Sequence, residues 1–259
     1  MTGHSFHMFM RSSLPELVES AGIKGQELIG TQFIGGSRVI QIWNVADEKN
    51  AAKAALKAGK VDVLTTSPHA LIPDPGIDNF VALALANNPN VRVTVQQSWP
   101  AYEGISARDP DPAAAKAGKA LDRDNTTGEK LMTMFKPYTT ALGTQVDALN
   151  KSAGKSAVFL VPTGDAVIAL REKVRLGQVP GIKTQSEMFL DRIGHAGAAV
   201  QALNAYCHFA VIYRRTPIGL PALKVLGAYA EPERAKINQI LQELAWEAVT
   251  AESRSGVGK

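Results

Sequence analysis

Residues 61–96, VDVLTTSPHALIPDPGIDNFVALALANNPNVRVTVQ, hold one unit of the pattern from which most of the chain is built. Val61-Asp62-Val63-Leu64-Thr65-Thr66 is a short apolar, β-branched run of the kind buried on both faces of a parallel sheet. Residues 78–87 space their apolar side chains as a helix does, and VRVTVQ (91–96) returns to a strand pattern. Strand, helix, strand in that order predicts two parallel neighbours joined by a helical crossover.

The same rhythm extends outward in both directions. Toward the N-terminus lie a helix over 47–59, stopped by Gly59, and a strand-like segment over 26–34 that runs into Gly35-Gly36. Before these, a short helix over 14–20 follows Pro15. Toward the C-terminus the pattern gives a long helix over 127–153, broken at Pro137, and a strand AVFLV over 157–161. Helices over 165–176, 197–213 and 231–251 complete it. The order predicts an α/β fold: a doubly wound, flavodoxin-like, mostly parallel sheet with helices on both faces, in three α/β/α layers. A chain of 259 residues can form this as one domain over 1–259, with a core that needs neither disulfide nor metal.

Composition excludes several classes. The formal charge of +4 is mild and its Lys and Arg residues are dispersed, so no nucleic-acid footprint is present. No run reaches the ~18 apolar residues of a membrane span. Cys207 is the single cysteine and lies in an apolar run, as a buried structural thiol does. No signal peptide is visible, because polar His4, Ser5 and His7 follow Met1 closely. Residues 102–129 break the rhythm with a polar stretch that follows the VRVTVQ strand. Ligands bind at that edge of such sheets, so the stretch reads equally as a lid and as a solvated excursion.

Reactive residues fall just after the strands. Ser5 stands in Gly3-His4-Ser5-Phe6-His7. Gly35-Gly36-Ser37, Ser67-Pro68-His69, Gln97-Ser98-Trp99 and Pro162-Thr163-Gly164 follow the others, and Asp191 and His195 precede a helix. A doubly wound sheet gathers these points at one edge. A serine, a histidine, a carboxylate and a glycine turn are the parts of an acyl-transfer site. The imidazole takes the hydroxyl proton, the carboxylate fixes the imidazole tautomer, and backbone N–H groups hold the oxyanion. On spacing alone, a serine so near the terminus reads as a helix cap or an exposed hydroxyl.

Gly3-His4-Ser5-Phe6 resembles the first block of the SGNH (GDSL-like) hydrolases, where a G-D-S or G-N-S triplet opens the domain. Gly35-Gly36-Ser37, with Trp43 after it, is similar to their second block. Val161-Pro162-Thr163-Gly164-Asp165 resembles the stretch before the last block, and Asp191-Arg192-Ile193-Gly194-His195 resembles the last block itself. The likeness runs over nearly the whole chain in the right order. It implies Ser5 as nucleophile and oxyanion donor, Gly36 or Gly35 as second donor, His195 as general base and Asp191 as its orienting carboxylate. It also implies a metal-independent esterase without cofactor. The substrate would be a small acyl ester, such as an acetyl ester of a carbohydrate or similar polar compound.

Three features depart from that pattern. Asp191 and His195 are four apart where the family places three, so Gly194 must be absorbed as a local bend or Asp191 is displaced. The Asn of the family's G-x-N-D block is missing, leaving His69 or Ser67 as the donor in its place, or His69 as a turn cap. Only Met1 and Thr2 precede Gly3, where the family has a central strand. Either the start is shortened, with any export signal lost, or another segment fills the gap. Around the site, Trp99 and Tyr102 would stack on a sugar or acyl group, or pack. Arg38 would hold an anion, or stand as a solvated turn residue. His4 and His7 would line the pocket or cap the following helix, without a metal. The departures keep a second class open, a non-catalytic binding protein with a degenerate site on the same fold.

Overall fold

The computed structural model describes residues 1–100 and 122–258. Among the described residues the strands are β1 (Thr2–Gly3), β2 (Gln32–Phe33), β3 (Val63–Thr66), β4 (Arg92–Gln96) and β5 (Val158–Val161). They form one sheet in the order β2-β1-β3-β4-β5, and every pair is parallel. The helices are α1 (Met10–Ser20), α2 (Val39–Trp43), α3 (Ala51–Lys57), α4 (Pro75–Asn87), α5 (Gly128–Ala153), α6 (Thr163–Arg175), α7 (Ala198–Tyr213) and α8 (Glu233–Ala251). The fold is therefore the three-layer α/β/α arrangement that the strand–helix rhythm predicts, with a wholly parallel sheet.

Alternation along the strands feeds two cores. Leu64, Val93, Val95, Val158 and Leu160 pack with α2, α3, α4 and α5 on one face. Phe159 and Val161 join α1, α6, α7 and α8 on the other. Helix α7 is apolar nearly all round, as a helix enclosed by neighbours must be.

The gap before Ser5 is filled by Thr2–Gly3 itself. Thr2 pairs with Gln32 on one side and with Thr66 on the other, and Gly3 pairs with Phe33. Three further backbone bonds extend the ladders: Gln32 N–H to the Met1 carbonyl, Ile34 N–H to that of Gly3 and Ser67 N–H to that of Thr2. The strand-like reading of 26–34 shrinks to β2, because the backbone N–H groups of only Gln32 and Ile34 reach this neighbour.

Pro15, expected at the start of a helix, and Pro137, expected at a break, both lie inside helices. Pro15 is within α1, where the carbonyl it orphans belongs to exposed Arg11 in the first turn. Pro137 is within an α5 that runs unbroken, its ring and Thr133 both on the exposed face, where water can satisfy the freed carbonyl. The helix expected over 47–59 divides into a 3-10 turn (Asp47–Lys49) and α3, because the Asn50 side chain caps α3 by accepting from Lys53 N–H. Most of the polar stretch 102–129 lies outside the described residues, with Tyr102 among them. Its end is a turn leading to Thr127, which caps α5.

Candidate active site

Ser5 lies in the turn between β1 and α1, where the Met8 and His7 N–H groups both return to the His4 carbonyl. This puts the hydroxyl at the carboxyl end of β1, an interior strand of the sheet. Its partner comes from 190 residues away: the Ser5 hydroxyl is 2.9 Å from His195 Nε2. His195 Nδ1–H in turn donates to Asp191 Oδ2 at 2.6 Å. The other carboxylate oxygen accepts the backbone N–H groups of Gly194 and His195, at 3.0 and 3.1 Å. The added residue between Asp191 and His195 is taken up by Gly194, whose φ of +87° an L side chain would resist. The His195 hydrogen bond, with those two backbone donors, holds the Asp191 carboxyl below its ordinary range against the opposing effect of desolvation. Asp191 is exposed, and Ser5 and His195 are partly so, which leaves the array open to a ligand.

The loop carrying Asp191 and His195 is pinned from several sides. Leu190 N–H donates to the His195 carbonyl, and Phe189 bridges Ala196. Arg123 donates to the carbonyls of Asp191 and Arg192 and lies over the Phe189 ring. Trp99 Nε1–H donates to the Gly194 carbonyl at 2.9 Å. The Trp99 ring stacks on Phe6 at 4.4 Å, and Phe6 meets the His195 ring edge-on. Trp99 is 1% exposed, so it does not offer a face to a sugar or acyl group. It is a packing residue that ties the turn of the serine to the loop of the histidine.

The neighbouring strand ends supply backbone donors. The β1–β2 register sets Gly35 and Gly36 beside the Ser5 turn, and Gly36 takes φ +63°. Among the described residues the backbone N–H groups of Ser5, Gly35 and Gly36 have no protein acceptor. Arg38 is not free for an anion. Its guanidinium donates to the Pro73 carbonyl and faces the buried Asp74 carboxylate.

On the other side of Ser5, the two candidates for the missing Asn separate. Ser67 is fully enclosed, its Cβ close to the backbone of Gly3, so its hydroxyl cannot reach a ligand. His69 is half-buried, with its Nδ1 enclosed and unpartnered. Burial, and then the charge of Arg38, lower its pKa, while Asp74 opposes them. Nε2 is the ring nitrogen left open to a ligand. His4 does not line an open pocket. It is 3% exposed, bonds to the Pro68 carbonyl and accepts from Phe6 N–H.

His7 also departs from expectation, for it points into the core. It shares the Gln96 side chain with His208 and Asn204, residues the sequence reading did not single out. The signal was partial: Gln96 shares its strand face with polar Arg92 and Thr94 and so does not stand out, whereas Asn204 and His208 stand one helical turn apart on an apolar helix. Among the described residues no group of three or more His, Cys, Asp or Glu gathers as metal ligands, and no helix is long and apolar enough to cross a membrane. A cavity of about 400 Å³ opens at the opposite, amino-terminal edge of the sheet, between residues 23–30 and 60–65. It contains none of Ser5, Asp191 or His195, so chemistry and not cavity size locates the site.

Fold and geometry together define a class: an α/β/α protein with a serine–histidine–aspartate array at the carboxyl edge of its sheet. No protein-family model matches the sequence, and no curated protein matches it. A solved structure that the chain is similar to is a DUF4886 family protein from Bacteroides uniformis ATCC 8492. The TM-score is 0.59 at 16% identity, over 99% of this chain and 95% of that one. At that identity the likeness carries the fold alone.

Proposed function

We propose that the chain is a serine hydrolase of the SGNH type its sequence resembles, cleaving a carboxylic ester through an acyl-Ser5 intermediate. The observation that carries this reading is the continuous relay of Ser5 Oγ, His195 and Asp191, at 2.9 and 2.6 Å. Ser5 Oγ attacks the ester carbonyl carbon while His195 Nε2 takes the hydroxyl proton. Asp191 stabilises the resulting imidazolium. The oxyanion is met by the N–H groups of Ser5 and Gly36, with His69 Nε2–H in place of the family's Asn. Collapse breaks the ester C–O bond, and the alcohol leaves with the proton from His195. Water then attacks the acyl carbon, His195 receives its proton, and the acid departs as Ser5 regains its hydrogen.

The substrate class, a small acyl ester such as an acetylated carbohydrate or similar polar compound, rests on family likeness. The test is hydrolysis of a panel of short acyl esters. Ser5→Ala is expected to lower turnover by at least about 10⁴-fold with the fold intact. A Ser5→Ala protein of undiminished activity would sink the proposal. One observation favours a second reading, a binding protein with a degenerate site: the G-x-N-D Asn has no side-chain amide in its place. That reading expects an ester to raise the melting temperature without being hydrolysed.

A further inference from the structure

Directly beneath the Ser5 turn lies a sealed polar cluster that the relay does not use. Val93 and Val95 of β4 enter the core on the α4 and α5 side, so Gln96, one position on, points to the opposite face against α7. Gln96, His7, His208, Asn204 and Thr163 are each 0% exposed, and Thr65 is 2% exposed. A buried amide must find partners within the protein. Gln96 Oε1 accepts His7 Nδ1–H at 2.7 Å, His208 Nε2–H at 3.0 Å and Asn204 Nδ2–H at 3.1 Å. Its own amide N–H donates to the Phe6 carbonyl at 3.1 Å. Three nitrogen donors around one oxygen fix which way the amide faces. The outer members are also fixed. Thr65 Oγ1–H donates to His7 Nε2 at 2.8 Å, and Thr163 Oγ1–H to Asn204 Oδ1 at 2.7 Å.

The cluster has two arms. One holds Phe6 and His7, the residues immediately after Ser5. The other holds Asn204 and His208 on α7, the helix that begins three residues after His195. Among the described residues Gln96 is the single side chain bonded to both. We propose that Gln96 is a positioning residue that fixes the Ser5 turn against the helix following His195, and so sets the Ser5–His195 hydrogen bond. The inference rests on the reading of Ser5 as nucleophile. An apolar side chain of the same volume would leave three buried donors and the Phe6 carbonyl unpartnered, which by itself lowers stability. What an apolar replacement cannot supply is direction. The Phe6 carbonyl and the α7 amide would then be free to settle at other separations.

Gln96→Met keeps the volume and removes both arms. Two measurements on it separate placement from folding: the rate constant and final extent of labelling by a fluorophosphonate, and the Ser5–His195 distance in a crystal structure. Full labelling at a rate about 100-fold lower is expected, the penalty of misplacement by about 1 Å. The Ser5 Oγ to His195 Nε2 separation is expected to pass the roughly 3.2 Å reach of a catalytic hydrogen bond. An unchanged distance would overturn the inference. So would partial labelling at the wild-type rate, which is the mark of a fraction unfolded and a remainder unharmed. If Gln96→Met does not fold, Asn204→Leu removes one donor from the same oxygen, and about tenfold slower labelling is expected, an unchanged rate overturning the inference. Should the wild-type protein itself resist labelling, the nucleophile reading fails, and the crystallographic distance in the variant still decides the role of Gln96.

Discussion

Asp191 and His195 illustrate how one residue's backbone freedom decides chemistry. The four-residue spacing would carry the carboxylate past the imidazole if Gly194 held an ordinary backbone. At φ +87° the chain doubles back, and Asp191 reaches Nδ1 as well as two backbone N–H groups. Because hydrogen bonding from His195 holds the Asp191 carboxyl below its usual range, the aspartate stays charged throughout the neutral range and becomes protonated only in strong acid. Asp191→Asn removes that charge and permits the wrong imidazole tautomer. Labelling by a fluorophosphonate at neutral pH is expected to slow by roughly 10³-fold or more, with the melting temperature little changed for so exposed a side chain. Labelling at the wild-type rate would show that the backbone alone orients His195. At this scale Ser5, Asp191 and His195 were legible because reactive types stood at strand ends in a family-like order. For Trp99 packing was one of the two readings, and for Arg38 neither reading holds, since sequence does not reveal which side of a strand end is covered. Trp99 is sealed against Phe6, and Arg38 is held by Pro73 and Asp74.

Single contacts between elements hold the walls of the site. The fully buried Asp74 carboxylate accepts Gly76 N–H at the start of α4 and, at the same time, Val39 and Ile40 N–H at the start of α2. One side chain thus caps two helices, and α2 directly follows the Gly35-Gly36 turn. Gly76 lets them approach: a Cβ there would stand 2.2 Å from Ile40 N. Asp74→Ala is expected to lower unfolding free energy by about 3 kcal/mol, two caps and a buried charge partner for Arg38 being lost together. A denaturant titration checks this, and a loss under about 0.5 kcal/mol would contradict the double cap. The long apolar or periodic elements were legible, β3, β4, β5 and α4 to α8 within a few residues. Thr2–Gly3 and α2 were not. A two-residue strand has no period, and a five-residue helix such as VIQIW is held by Asp74 from 31 or more positions away, beyond any local signal. Pro15 and Pro137 misled for a related reason: a proline inside a helix loses a hydrogen bond and crowds the carbonyl four residues back, and sequence does not reveal that the freed carbonyls of Arg11 and Thr133 lie on exposed faces.

For the whole molecule, the parallel sheet followed from the order of apolar runs, whereas its polar interior did not. Pairing of Gln96 with His7, Asn204 and His208 depends on which helix covers which face, and that is a tertiary fact. The burial of three histidines, two of them in this cluster, has a global consequence. Burial lowers His4 from 6.5 to about 4 and His7 from 6.5 to about 3, and places His208 well below its usual value. The unfolded chain therefore takes up protons that the folded one refuses. The histidine contribution to stability should level off above pH 6.5 and fall below it, by on the order of 1.4 kcal/mol per pH unit for each histidine at full effect, until the folded pKa values are reached. The N-terminal amine, lowered from 8.0 to about 5, adds a slope of the same sign from pH 8 downward. The urea midpoint followed from about pH 7.5 to about pH 5 measures this, and a flat profile would contradict neutral burial of these rings. The account as a whole turns on Ser5 being an activated nucleophile. The most direct measurement is intact mass after treatment with a fluorophosphonate, with the labelled peptide mapped. One adduct per chain at Ser5, lost in His195→Ala, is the predicted result; a folded protein that takes up no label, or labels elsewhere, would contradict it.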